Sequence, residues 1–233
     1  MDTRRRPYLY KWGMGRHRCA FIVKLERLHI TAFLGLATFV WWLAIGAPRV
    51  NWENLQPFGP VVGVLVIIGA AFEYFLWRWS WLHGWFVKRP DLRGTWRIVL
   101  QSDWIDPDTN LDVPPIVCYM GVTQTLSTLQ MHLMTPESES WFVAERISPS
   151  ASGVGYQVAG VYTNRPQIHL RGTRSEMHLG GVLLDTHGPT NRPDTITGEY
   201  WTDRKTKGRM TFTKRLPAVF TRFDDADRAF EEA

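Results

Sequence analysis

Cysteine is nearly absent from this chain. Cys19 and Cys118 are the only two in 233 residues, a poor disulfide framework and too few ligands for a structural zinc site. Such usage suits a reducing compartment. No catalytic signature is present either: there is no G-x-S-x-G elbow, no phosphate-cradling P-loop and no H-E-x-x-H pair. His169, His178 and His187 recur at nine-residue intervals. An odd interval along extended chain turns successive side chains to opposite faces, so no metal centre is expected from them. Charge is missing from two long stretches. Residues 28–47 (LHITAFLGLATFVWWLAIGA) hold no Asp, Glu, Lys or Arg, and residues 58–77 (FGPVVGVLVIIGAAFEYFLW) hold one acid, Glu73.

Each of those runs is about twenty residues, the length a helix needs to cross a hydrocarbon core of about 30 Å. They read as a transmembrane hairpin: helix one at 28–47, an external link at 48–57, helix two at 58–77. The net charge of +5 is concentrated around it. Arg4, Arg5, Arg6, Lys11, Arg16, Arg18, Lys24 and Arg27 precede the first run, and Arg78, Lys88, Arg89, Arg93 and Arg97 follow the second. The link carries only Arg49 and Glu53. Positive charge stays inside, which places both termini in the cytoplasm of a two-pass inner-membrane protein. The basic clusters are thereby read as topology and lipid headgroup contacts, with no DNA or RNA partner expected. Trp77, Trp79, Trp81 and Trp85 crowd the inner end of helix two, where amphipathic indoles prefer to sit. Glu73 is either a functional group within the span or a side chain that snorkels or pairs with Arg78. Residues 1–27 form a basic interfacial leader and 78–91 an interfacial linker.

From residue 92 to 216 the texture changes. Turn signals such as Asp106-Pro107, Pro114-Pro115, Ser152-Gly153 and Gly188-Pro189 alternate with short runs rich in Val, Ile, Thr, Tyr and Trp. This predicts an antiparallel all-β domain of about eight strands, closed as a small lipocalin-like barrel. The strands fall near 94–104, 116–124, 128–135, 139–148, 156–163, 168–175 continuing through 177–185, 196–203 and 209–215. Within 196–203 neither alternating set is cleanly apolar, as a partly polar lumen requires. The tail, 217–233, ends DDADRAFEEA and reads as a solvated or frayed end.

The remaining chemistry is that of recognition. Arg171, Arg174 and Arg204 offer forked donors suited to phosphate. Trp96, Tyr162, Tyr200 and Trp201 offer ring faces on which a base can stack. Gln124, Asn164, Ser175, His178 and Thr202 offer polar groups for base edges or phosphate oxygens.

Several motifs resemble a known family. The β-rich region opens with Leu92-Arg93-Gly94-Thr95-Trp96. It continues with Thr135-Pro136-Glu137-Ser138-Glu139-Ser140, Tyr162-Thr163-Asn164-Arg165-Pro166 and Arg174-Ser175-Glu176-Met177-His178-Leu179-Gly180. Gly198-Glu199-Tyr200-Trp201-Thr202-Asp203-Arg204 is the most specific of them. Placed behind two apolar helices, they resemble the two-transmembrane, β-strand-rich effectors of bacterial CBASS antiphage defence, which act with cGAS/DncV-like nucleotidyltransferases (CD-NTases). The resemblance implies a receptor with no catalytic residues and no cofactor. Its ligand would be a cyclic di- or trinucleotide made by a CD-NTase. Binding would drive self-association and disruption of the inner membrane, killing the infected cell. It also implies a ligand site, for which Arg174 and Arg204 suit phosphates, Tyr162, Tyr200 and Trp201 base faces, and Thr202, His178 and Gln124 polar contacts. Strand parity allows only one of Tyr200 and Trp201 to face inward. The rival expectation is a membrane-tethered lipocalin-like barrel for an apolar or lipid ligand, without a killing role.

Overall fold

A computed structural model describes residues 35–40, 42–43, 58–105, 110–171 and 176–233. The basic leader, most of helix one and the link lie outside the described residues. The chain divides into two compact units, Met1–Ala70 and Ala71–Ala233. Residues 35–40 and 42–43 are helical. Helix α1 runs Phe58–Tyr74, 17 residues with neither an acidic first turn nor a basic last turn. Among the described residues no helix is long and apolar enough to cross a membrane.

The expected helix over 58–77 therefore stops early, and tertiary packing is the reason. After Tyr74 the chain tightens into a 3-10 turn, Leu76–Arg78, with a second at Ser80–Leu82. Trp77, expected at a lipid interface, is instead 0% exposed, packed with Leu82 and Val87 under Phe72, Phe86 and Leu126. Trp79, Trp81 and Trp85 do remain exposed, with successive ring centroids 6.2 and 6.3 Å apart. Glu73 does not pair with Arg78, whose Nε donates to the Phe75 carbonyl. Its Oε1 accepts from the Ser127 amide at 3.0 Å and from the hydroxyls of Thr125 and Ser127, while its backbone carbonyl accepts from Leu126 N.

Eight antiparallel strands close into one barrel: β1 Gly94–Ser102, β2 Ile116–Gln124, β3 Leu129–Met134, β4 Ser138–Pro149, β5 Tyr156–Pro166, β6 His178–His187, β7 Thr195–Thr202 and β8 Lys207–Leu216. Each pairs with the next, and β8 returns to β1. The expected extension of the sixth strand back to residue 168 is not seen. Pro166, which cannot donate to a ladder, ends β5, and Ile168–Leu170 forms a 3-10 turn.

One half of the barrel is filled. Trp96 and Ile98 of β1, Val122 of β2, Val158 of β5, Leu184 of β6, Ile196 of β7 and Phe212 of β8 are each 0–2% exposed and form one cluster. Trp96, proposed from the sequence as a stacking face, is part of this filling: its ring meets Phe212 edge-on at 6.1 Å and its indole N–H donates to the Leu92 carbonyl. The tail is not frayed. Helix α2, Phe223–Glu231, turns Ala226 and Phe230 against Tyr119 and Met134 on the outside of the sheet. Phe230 lies 5.1 Å from the Tyr119 ring, and the Tyr119 hydroxyl donates to Asp227 Oδ1 at 2.6 Å. Of the acidic residues that made the segment look solvated, Asp224 and Asp225 lie in the first turn, where they suit the helix dipole, and Asp227 is the one held by Tyr119. Phe230→Ala should lower unfolding stability by about 3 kcal/mol through lost burial. Thermal unfolding of the detergent-solubilised chain measures this, and a change near zero would mean the helix is not docked.

Candidate functional site

The other half of the barrel is hollow. A cavity of about 800 Å³ opens where β1, β3, β5 and β7 end and β2, β4, β6 and β8 begin. That lies within the roughly 300–1,000 Å³ of small-molecule pockets. Its walls divide by chemistry. Leu100, Ile116, Met120, Leu133, Val182 and Met210 form an apolar floor and sides, and Tyr162, Asn164, His178, Tyr200, Thr202 and Arg204 form a polar arc on β5 to β8.

Glycines make room for the rings. The Tyr162 ring lies across Gly180, its ladder partner on β6, where a Cβ would fall inside the phenol. Tyr200 lies across Gly208 on β8 in the same way, where a Cβ would stand 2.7 Å from its ring. Phe142 lies over Gly160 of β5, 2.6 Å from where a Cβ would be. Each ring thus takes space against the wall that a Cβ would fill, and each lines the cavity.

The polar groups are held in definite states. Burial, then the neighbouring Tyr200, pushes the Tyr162 phenol well above its ordinary pKa. Burial does the same to Tyr200. Both are neutral hydroxyls at physiological pH. Burial holds the His178 imidazole below its ordinary value, and the Arg204 charge pushes the same way. Its Nδ1 sits 3.1 Å from the Glu176 carbonyl, a group that can only accept. The neutral ring therefore donates from Nδ1 and keeps Nε2 as an acceptor. Arg204 projects from the β7–β8 turn. There the Thr202 and Thr206 hydroxyls lie 2.8 Å apart, Thr202 N donates to Thr206 O, and Lys205 takes a left-handed φ of 65°.

Of the residues expected from the sequence, Tyr162, His178, Tyr200, Thr202 and Arg204 come together at this cavity. Trp201 does not. It is 52% exposed on the outer face, its indole over Gly181, because Tyr200 takes the inward position and parity sends its neighbour out. Gln124 does not either. It lies at the filled end, where its Oε1 accepts from Leu92 N and its Nε2 donates to the Pro90 carbonyl, both at 2.9 Å. Arg174 and Ser175 lie outside the described residues. Arg171 lines a second, smaller hollow with Arg165 and Arg222, and its Nε donates to the Pro166 carbonyl. Asn164, named from the sequence as a polar candidate, also lines the cavity, joined in one hydrogen-bonded group with Ser138 and Ser140, which the sequence reading missed. The inward alternation of Ser138 and Ser140 in S-E-S was the available signal.

Gly180→Ala should drive the Tyr162 ring off the wall into the cavity, lowering affinity for a cavity ligand about tenfold or more while leaving the far, filled core in place; calorimetric titration checks the affinity. Acidity should also matter. His178, His132 and His83 are all held below the ordinary 6.5 by burial. The unfolded chain therefore binds more protons once pH falls through that value, and folded stability declines. The melting temperature should be lower at about pH 5.5 than at about pH 7.5, with His178→Gln flattening the slope.

The family model described as Cap15, cyclic dinucleotide receptor domain, matches residues 87–214, more than half of the chain. That stretch contains the whole cavity. None of the curated proteins compared with the chain matches it.

Proposed function

Because the chain belongs to the Cap15 cyclic dinucleotide receptor family, we propose that it is a CBASS effector. In this reading its barrel captures a cyclic oligonucleotide in the hollow half and passes that event to membrane-embedded helices. The observation that carries the reading is the pairing of an apolar cavity with an arc of Tyr162, Tyr200, His178, Thr202 and Arg204. A cyclic dinucleotide presents flat bases and two phosphate charges. The bases suit the tyrosine faces and the apolar floor. The phosphates suit the Arg204 guanidinium and the hydroxyls. Arg174 is a second phosphate contact, consistent with its place in the motif that leads into His178 on β6.

In this reading the ligand is held, and the neutral Tyr and His side chains offer it hydrogen bonds. Binding can drive assembly only if the assembling form holds the ligand more tightly than the resting form. Self-association then clusters the apolar helices and breaches the inner membrane, killing the infected cell. Support for anchoring comes from the two long apolar runs of the sequence, from the basic residues flanking them and from the exposed Trp79, Trp81 and Trp85, which suit a lipid interface. The topology is two-pass with both termini cytoplasmic.

One feature favours the rival reading of a tethered barrel for an apolar ligand: much of the cavity wall is hydrocarbon. The two readings separate in one experiment. The full chain in detergent is titrated with a panel of cyclic di- and trinucleotides and with fatty acids. Saturable binding of one cyclic nucleotide is expected, weakened about ten- to a hundredfold in Arg204→Ala. Added to the chain in anionic vesicles, the same nucleotide should release trapped dye. Binding of a fatty acid and of no nucleotide would favour the rival.

A further inference from the structure

Asn164 stands on β5 directly across the ladder from Ser140 of β4. It lines the cavity, yet only 7% of it is exposed. Its carboxamide nitrogen donates to two hydroxyls, Ser138 Oγ at 3.0 Å and Ser140 Oγ at 2.9 Å. Its Oδ1 is buried and has no hydrogen-bond partner. Buried amide oxygens are almost always satisfied, so one left unpaired at a cavity wall calls for a reason.

The orientation of this amide follows from the groups behind it. Thr135 Oγ1 donates its single proton to the Ser138 carbonyl at 3.0 Å and receives the Ser138 amide at 2.9 Å. The Ser138 and Thr135 hydroxyls are 3.0 Å apart. With the Thr135 proton on the Ser138 carbonyl, Ser138 Oγ is the donor of the pair and accepts from Asn164, in keeping with an amide whose NH2 faces both hydroxyls and whose oxygen is unpaired. Ser140 Oγ accepts from the Asn164 amide nitrogen and still has its own proton to donate.

We propose that Asn164 is a specificity-determining residue of the ligand site: its Oδ1 receives an N–H of the ligand's nucleobase, and the Ser140 hydroxyl donates to the acceptor next to that N–H. This inference rests on the functional reading above and deepens it. Hydroxyls and tyrosine faces accept any base, whereas an orphaned buried acceptor rewards a donor and penalises its absence. Oδ1 is buried in the unliganded barrel, so this contact requires the wall to open where the base enters. The role belongs to the T-P-E-S-E-S segment as a unit. Thr135 fixes Ser138, Ser138 fixes the amide, and the amide presents one acceptor of known position.

The test uses the full chain in detergent and a panel of cyclic dinucleotides carrying adenine, guanine, cytosine or uracil. The tightest binder is compared with its analogue in which the donor N–H of the base is removed, such as purine for adenine or N3-methyluracil for uracil. Wild type should lose about ten- to a hundredfold in affinity for the analogue. Asn164→Leu, which keeps the size and deletes the acceptor, should bind the two ligands within about twofold of each other. Asn164→Ser serves the same comparison where the leucine variant does not fold. Equal binding of ligand and analogue by wild type overturns this inference and leaves the functional reading standing. So does discrimination that persists in a folded Asn164 variant. Failure of every cyclic dinucleotide to bind wild type overturns the functional reading, and this one with it.

Discussion

Closing eight antiparallel strands into a cylinder leaves an interior only about one side chain deep from wall to axis. Every inward-pointing residue must then either fill that space or line it, and the molecule does one at each end. Toward the end where β1 begins, Trp96, Ile98, Val122, Val158, Leu184, Ile196 and Phe212 meet across the axis and exclude water. Burying that apolar surface supplies the main stabilisation, at about 25 cal/mol per Å². The far end need not be filled to keep the cylinder standing, and there the inward residues line about 800 Å³ of space.

What converts filling into lining is the placement of glycine opposite aromatic rings. Gly160, Gly180 and Gly208 remove the Cβ atoms that would hold Phe142, Tyr162 and Tyr200 away from the wall. The rings then lie along the strands, giving up the axis to a ligand. On the outer face, Gly181 plays the same part for Trp201. The filled end is stitched to the segment entering it. Gln124 closes on Pro90 and Leu92, and Glu73 caps the β2–β3 turn. Gln124 is buried, where its hydrogen bonds must be satisfied, and both side chains are occupied in satisfying the chain's own backbone.

Much of this was legible in residue order. Eight β-runs separated by Gly, Pro and Asn turns give eight strands, the sixth expected from residue 168 but beginning only at His178, because Pro166 and a 3-10 turn intervene. Mixed polarity on the inward set of β7 announced a lumen that is not wholly oily. Five of the expected ligand residues, Tyr162, His178, Tyr200, Thr202 and Arg204, do share one cavity. The errors have a common cause. Trp77, Trp96 and Trp201 are alike in composition, but one is buried below the helix, one fills the barrel and one lies on the outer wall. Side-chain chemistry states what a residue can bind, not which of several surfaces it will find.

Residue order alone was enough for the β-rich class, the strand number and the alternation that turns every second residue of a strand toward the axis, because a period of two is a local property of extended chain. It also determined the absence of a disulfide framework, which two cysteines cannot build. It took the folded barrel to settle where the interior is hollow, that the acidic tail docks as α2 on Tyr119, and which end Gln124 serves. Those outcomes depend on which residues face one another across the ladder and the axis. Such pairings join positions tens to more than a hundred apart in the chain, as Thr95 and Ala218 are, and no local pattern encodes them.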